Sequence, residues 1–213
     1  MSSIKLKHAS GNSMSIAAPA TNPASDLSLK LPATIGTAGQ VLRNSSTPGT
    51  LEFGGLGGGI THADQWRVTS AFTGDAQPIS SNLERCDTSA GLIGSAMTES
   101  SGVFTFPVTG AWRIEFNNTN YLNDSNSRYT ESFIYKTQND GTSWVECGRA
   151  GSSQYDSGSN TYANNYTQFL FDVTNVSTHK VKFEQVVFNN SVVTLGSTDH
   201  NWTYFTFTRL GDT

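Results

Sequence analysis

Residues 102–116, GVFTFPVTGAWRIEF, alternate with a period of two. Val103, Thr105 and Pro107 fall on one side and Phe104, Phe106 and Val108 on the other, because successive side chains of a strand point to opposite faces. Gly110 breaks the run, after which Trp112, Ile114 and Phe116 alternate with Arg113 and Glu115. The segment NWTYFTFTRLGD at 201–212 repeats the theme, setting Trp202, Tyr204, Thr206 and Thr208 against Thr203, Phe205, Phe207 and Arg209. Strands that are apolar on one side only predict a two-layered antiparallel β protein.

The same pattern recurs in weaker form at 66–72, 129–136, 143–148, 166–173 and 180–188. Turn clusters separate these segments, namely Asn123-Asp124-Ser125-Asn126, Asn139-Asp140-Gly141 and Asp156-Ser157-Gly158-Ser159-Asn160. No segment combines a helical period with caps. Residues 60–213 therefore predict about eight to ten strands in an all-β antiparallel sandwich of the jelly-roll type.

Residues 54–59 form a glycine-rich linker, with Gly54, Gly55, Gly57, Gly58 and Gly59 around Leu56. A phosphate cradle is excluded, since Ile60-Thr61-His62 follows where a Gly-Lys-Ser/Thr would be required. Upstream, 4–7 and 13–16 predict a hairpin across Ser10-Gly11-Asn12, 27–31 alternates up to Pro32, and 40–43 and 50–53 flank a turn-rich 44–49. Residues 17–25, with Pro19 and Pro23, read as extended chain lying along another surface. Large apolar residues are too sparse in 1–53 for a core in one copy, so this small β-rich module is expected to gain buried area from partner chains, as an intertwined oligomer.

Composition narrows the function classes. Charged residues make up 14% of the 213 and aromatics 11%, so Ser, Thr, Asn and Gln must supply most of the polar surface. A net charge of −4 argues against a nucleic-acid binder, and no apolar run approaches a membrane span. The polar start lacks a signal-peptide pattern, which predicts cytoplasmic synthesis of a protein used elsewhere. Cys86 and Cys147 lack metal-ligand spacing and are expected as two thiols rather than a bridge.

Catalytic chemistry is weakly encoded. His179 and His200 could enter a Ser-His-Asp set with Asp199 only through the fold, and no GxSxG elbow is present. Carboxylates at Glu99, Glu115, Glu131, Glu146 and Glu184 could form a hydrolytic pair, yet Glu115, Glu131 and Glu146 occupy polar positions of alternating strands. Asp124 with Asn126, or Asp156, falls short of calcium-loop density. The expectation is no catalytic residue, no cofactor and no metal. A candidate ligand-binding loop holds Tyr155, Asp156, Tyr162, Asn164 and Tyr166, a mixture of rigid aromatic area and adaptable hydrogen bonding suited to sugar or protein surfaces or to a subunit contact. Trp66, Trp112, Trp144 and Trp202 are expected in the core or at a subunit seam.

Two resemblances follow from these segments. GVFTFPVTGAWRIEF and NWTYFTFTRLGD resemble the signature and last strand of the complement-head and tumour-necrosis-factor-like jelly roll, over residues 60–213. That family implies a tightly packed homotrimer with ligand-binding outer loops, and places Phe104, Phe106, Tyr204, Phe205 and Phe207 in the core or at the trimer seam. The segment TAGQVLRN at 37–44, followed by TLEFG, resembles a stretch recurrent in bacteriophage tail-fibre and other appendage proteins, and LPATIG and IKLKHASGNSMSIAAP are similar to structural proteins of marine and cyanobacterial phages.

The second resemblance makes Gln40, Val41, Leu42 and Arg43 part of a virion-attachment and trimerisation module, residues 1–53. Together the two imply a virion-surface protein assembled in host cytoplasm: a trimeric tail fibre for host adhesion, partnered by other virion proteins and a host glycan or protein. Capsid decoration, a carbohydrate-depolymerising tailspike and a soluble cytokine-like or lectin-like module without the interlocked base are the alternatives.

Overall fold

The computed structural model describes residues 3–7, 10–11, 13–17, 20–21, 23, 28–55, 59–87 and 91–213. The chain divides into two compact units, Met1–Gly58 and Gly59–Thr213.

In the first unit β1 (Ser3–Lys7) and β2 (Ser13–Ala17) pair antiparallel, Ser3 opposite Ala17, forming the hairpin expected around Gly11. A second hairpin joins β3 (Gln40–Asn44) to β4 (Leu51–Gly55), Gln40 opposite Gly55. The alternating stretch 27–31 contributes only one bridge among the described residues: Lys30 donates to the Gly49 carbonyl at 2.8 Å and accepts from the Leu51 amide at 2.9 Å. Most of the extended stretch 17–25 lies outside the described residues. Gly54 and Gly55 end β4 rather than beginning a linker, and residues 56–58 lie outside the described residues. The Arg43 guanidinium on the paired strand lies over Gly54, where a Cβ would displace it.

In the second unit the strands are β5 (Ala63–Val68), β6 (Phe72–Thr73), β7 (Leu83–Arg85), β8 (Leu92–Ile93), β9 (Thr98–Ser100) and β10 (Val103–Thr105). They continue with β11 (Gly110–Asn123), β12 (Ser127–Thr137), β13 (Val145–Gln154), β14 (Asn160–Val173), β15 (Lys180–Val187), β16 (Val193–Thr194) and β17 (Tyr204–Gly211). One sheet runs β13-β12-β15-β10-β9; the other runs β6-β16-β11-β17-β5-β7, with β14 also on β11 and β8 on β5. Every strand pair within these two sheets is antiparallel, and long connections swap the chain between sheets, as in a jelly roll. Gly110 opens β11 at φ 135°, and a Cβ there would come within 2.5 Å of the Gly211 carbonyl oxygen on β17.

Alternation along the strands builds the interior. Trp112, Ile114 and Phe116 of β11, with Phe205 and Phe207 beside them on β17, face Phe104 of β10 and Phe183 of β15 in the other sheet, all essentially fully buried. Phe183 and Phe205 stack at 4.2 Å between centroids, and Phe104 contacts Phe207 at 5.1 Å. Offset and edge-on pairs of this kind add about 0.5–1.5 kcal/mol each beyond their burial.

Further along β11 the buried positions become polar. Asn118 and Asn120 replace the aromatics, facing Ser132 of β12, Gln185 of β15, Thr194 of β16 and Thr203. Beyond them Leu122, Val187 and Val192 form a second, small apolar cluster. A belt of amides and hydroxyls thus separates two apolar layers. Many of these groups bond to one another: Thr194 Oγ1 lies 2.8 Å from Asn120 Oδ1, and Asn165 donates to the Thr130 carbonyl at 2.8 Å, while Asn120 Nδ2 and Asn165 Oδ1 have no partner among the described residues.

Candidate functional site

The larger sheet presents its outer face through β14, β11 and β17. Register places Tyr166, Asn117 and Tyr204 in one row across these three strands. Period two along β14 then puts Tyr162, Asn164, Tyr166 and Leu170 on the same side, all exposed. Tyr166 donates its hydroxyl to Glu115 Oε1 at 2.6 Å, while Arg113 lies 3.4 Å from the other carboxylate oxygen. The bond to Glu115 holds the Tyr166 phenol above its ordinary range, and partial burial adds to the effect. Asn164 donates to Thr119 at 2.9 Å, and the Tyr121 and Tyr162 rings lie 5.8 Å apart. Next to this row Arg113, Gln168, Phe169 and Leu170 line a shallow hollow of about 620 Å³. The face is thus apolar enough to associate and polar enough to fix a register.

Three members of the sequence-predicted loop are therefore strand residues. Tyr162, Asn164 and Tyr166 belong to β14, and only Tyr155 and Asp156 lie in the connection 155–159. The strand forms because its inner side, Thr161, Ala163 and Asn165, is anchored by hydrogen bonds instead of apolar packing. Gln154 donates to the Thr161 carbonyl at 2.8 Å, and Asn165 enters the polar belt. Tyr155 is 75% exposed, and the Asp156 carboxylate caps the Gly158 amide at 2.9 Å.

Of the aromatic set, Phe104, Phe106, Phe205 and Phe207 stand inside the sandwich, whereas Tyr204, one residue from Phe205, faces outward beside Tyr166. Trp112 is buried, Trp66 packs edge-on against Phe104, Trp144 lies under Lys182, and Trp202 is exposed. In the first unit Gln40, Val41, Leu42 and Arg43 are all exposed on β3, where Arg43 pairs with Glu52 at 3.1 Å.

Most of the groups considered for catalysis are held in structural contacts. His179 is buried, with Nδ1 donating to the Asn175 carbonyl at 2.8 Å and Nε2 facing the Gln138 amide nitrogen at 3.1 Å. His200 lies in an exposed turn with Asp199. Glu131 and Glu146 both pair with Arg149, Glu184 pairs with Lys182, and Glu99 caps the Gly102 amide. Asn126 Oδ1 accepts from the Asp156 amide at 2.8 Å, so these two close a loop. Among the described residues no group of three His, Cys, Asp or Glu could hold a metal ion, and no helix is long and apolar enough to cross a membrane. Cys86 and Cys147 are free thiols, bonded to Asn201 Oδ1 and to the Ile134 carbonyl, each at 3.3 Å. Burial pushes the Cys147 thiol up to about 12.

No protein-family profile matches the sequence. No curated protein matches it either. Solved structures do resemble the fold. Murine APRIL, in a crystal structure at pH 5.0, is similar over 70% of this chain and 98% of its own, with a TM-score of 0.50 and 10% identity. The Eiger TNF from S. frugiperda is similar over 71% of this chain and 93% of its own, with a TM-score of 0.53 and 9% identity. What is shared at this identity is the fold, an all-β antiparallel jelly-roll sandwich of the tumour-necrosis-factor type.

Proposed function

We propose that the chain is a non-catalytic, homotrimeric appendage of a bacteriophage virion, a tail fibre that attaches through residues 1–53 and uses the jelly-roll head to adhere to the host surface. The observation that carries the assembly is the row Tyr166–Asn117–Tyr204 with Leu170, 64% exposed, on the outer face of the larger sheet. Aromatic side chains held rigid by a sheet are strong anchors for a subunit contact. Copies related by a closed rotation use this surface without leaving an open end. Strand β14 is long and lies at the sheet margin, and packing against another copy protects that edge.

The first unit supports the same reading. It leaves Leu29, Leu31 and Leu42 exposed, and Ile35 is 93% exposed, in a module of two hairpins. Such a module gains its buried area from neighbours. The phage-like wording of residues 37–44 lies in this unit and supports its role as the virion anchor. Three identical heads on one base then bind weakly but together, so avidity exceeds the affinity of one head.

The test is to delete residues 1–53 in the phage and image particles carrying a labelled head domain. Loss of the label from particles that otherwise assemble, with full-length label at the tail, is the expected result. Label retained after deletion contradicts the anchor, and full-length label on the capsid contradicts the fibre.

A further inference from the structure

We propose that the end of the head remote from Ala63 carries a binding cleft for an acidic sugar, with Arg128 reading its carboxylate; the inference rests on the adhesion reading above. The cleft arises from a break in register between β12 and β13. Ser127 pairs with Gln154 and Thr130 with Ser152, so Arg128 and Tyr129 together face the single residue Ser153. An extra residue of this kind re-aims side chains. Ser127 and Thr130 stay buried, while Arg128 and Tyr129 both emerge to solvent.

The bulge places a cation on an aromatic platform. The Arg128 guanidinium carbon lies 5.2 Å from the centre of the Phe188 ring, which meets Tyr129 edge-on at 5.7 Å. Phe188 is itself half-exposed. A cleft of about 310 Å³, lined by Asn126, Ser127, Arg128, Ser153, Gln154 and Tyr155, adjoins this platform. Its walls are held in place: Asn189 donates to the Asn126 carbonyl at 3.0 Å and to Ser125 at 3.1 Å, and the Asp156 amide donates to Asn126 at 2.8 Å. Tyr155 is free to lie along a sugar ring.

Charge selects the ligand. The other five arginines of residues 59–213, Arg67, Arg85, Arg113, Arg149 and Arg209, each hold a carboxylate. Among the described residues Arg128 makes no ion pair with an acidic side chain. Two acidic residues border the cleft, Asp124 in the turn before Ser127 and Asp156 in the adjoining loop, and the Asp156 carboxylate is turned back onto the Gly158 amide. A planar guanidinium held over a ring keeps its outer edge available for two parallel bonds to a carboxylate. Cation and aromatic surface in one cleft match a uronic acid: carboxylate on Arg128, ring face on Tyr155.

The experiment measures binding of oligogalacturonate, and of the same oligomer after chemical reduction of its carboxyls, to the full chain by calorimetry. Binding of the uronate that weakens with salt, with no binding of the reduced form, is expected. Arg128→Ala is expected to lose at least tenfold in affinity, Arg128→Lys to retain part of it, and Arg149→Ala to leave it unchanged. A circular-dichroism spectrum and sedimentation mass unchanged in Arg128→Ala establish that the fold and assembly persist. Equal binding of both oligomers, no binding of either, or full affinity in Arg128→Ala overturns the cleft. Adhesion of particles to host cells by another surface survives any of these outcomes, so the two failures are distinguishable.

Discussion

Asn118 of β11 donates its side-chain amide to Gln185 Oε1 of β15 at 2.6 Å, and so ties the two sheets together through the middle of the sandwich. The same amide donates to Ser132 at 2.9 Å, and Gln185 donates onward to the Gly74 carbonyl at 2.9 Å. Each group is fully buried, so each bond replaces one to water, and Gln185 Oε1 is shared with Thr194 Oγ1, which donates to it at 2.6 Å.

Replacing Asn118 by Ala removes the donor while leaving Gln185 buried. The expected cost is about 1–3 kcal/mol in urea unfolding. A double-mutant cycle with Gln185→Ala should give a coupling of about 0.5–3 kcal/mol, because the two share one network. Additive effects would mean that the bond contributes nothing to stability.

Phe205 and Tyr204 are neighbours on β17 with opposite assignments. Phe205 stacks on Phe183 inside the core, and Tyr204 lies in the outer row. Phe205→Ala should cost about 3–5 kcal/mol of unfolding free energy through the cavity it leaves. Tyr204→Ala should leave the unfolding of the head nearly unchanged and weaken self-association. Equal loss of stability in both variants would contradict this division of the strand.

The Cys147 thiol, held up to about 12 by burial, sets a pH dependence with a definite sign. An unfolded thiol titrates near pH ~8.5. Between these values the folded chain keeps a proton that the unfolded chain releases, so the contribution is complete below about pH 8.5 and is lost as pH rises through about 12. At pH 9, iodoacetamide should alkylate Cys147 far more slowly in the native protein than in urea. Equal rates would show the thiol to be accessible and ordinary.

How much of this was legible in the chain depended on apolar contrast. In β10, the first half of β11, and β17, large aromatics alternate with small or polar residues, and the period alone located the strands. The start of β14 carries no strand signal in the sequence because Thr161, Ala163 and Asn165 bury no large apolar group; hydrogen bonds hold them, and periodicity does not register hydrogen bonds. The same blindness hid the belt at Asn118 and Asn120, whose residue type favours turns. Alternation grouped Phe104 with Phe106 and Phe205 with Phe207, but could not tell interior from seam without the second sheet. The Arg128–Tyr129 bulge is a slip of register between partners, and a single strand carries no sign of its partner's register.

In the proposed assembly other copies cover the outer row Tyr166–Asn117–Tyr204 and the thin first unit, and the stoichiometry of the full chain tests that proposal most directly. Sedimentation equilibrium at micromolar concentration should return three times the mass of one chain, falling toward one chain in a variant carrying Tyr166→Ala, Leu170→Ala and Tyr204→Ala. A full-length chain that sediments as a monomer at that concentration would contradict the account.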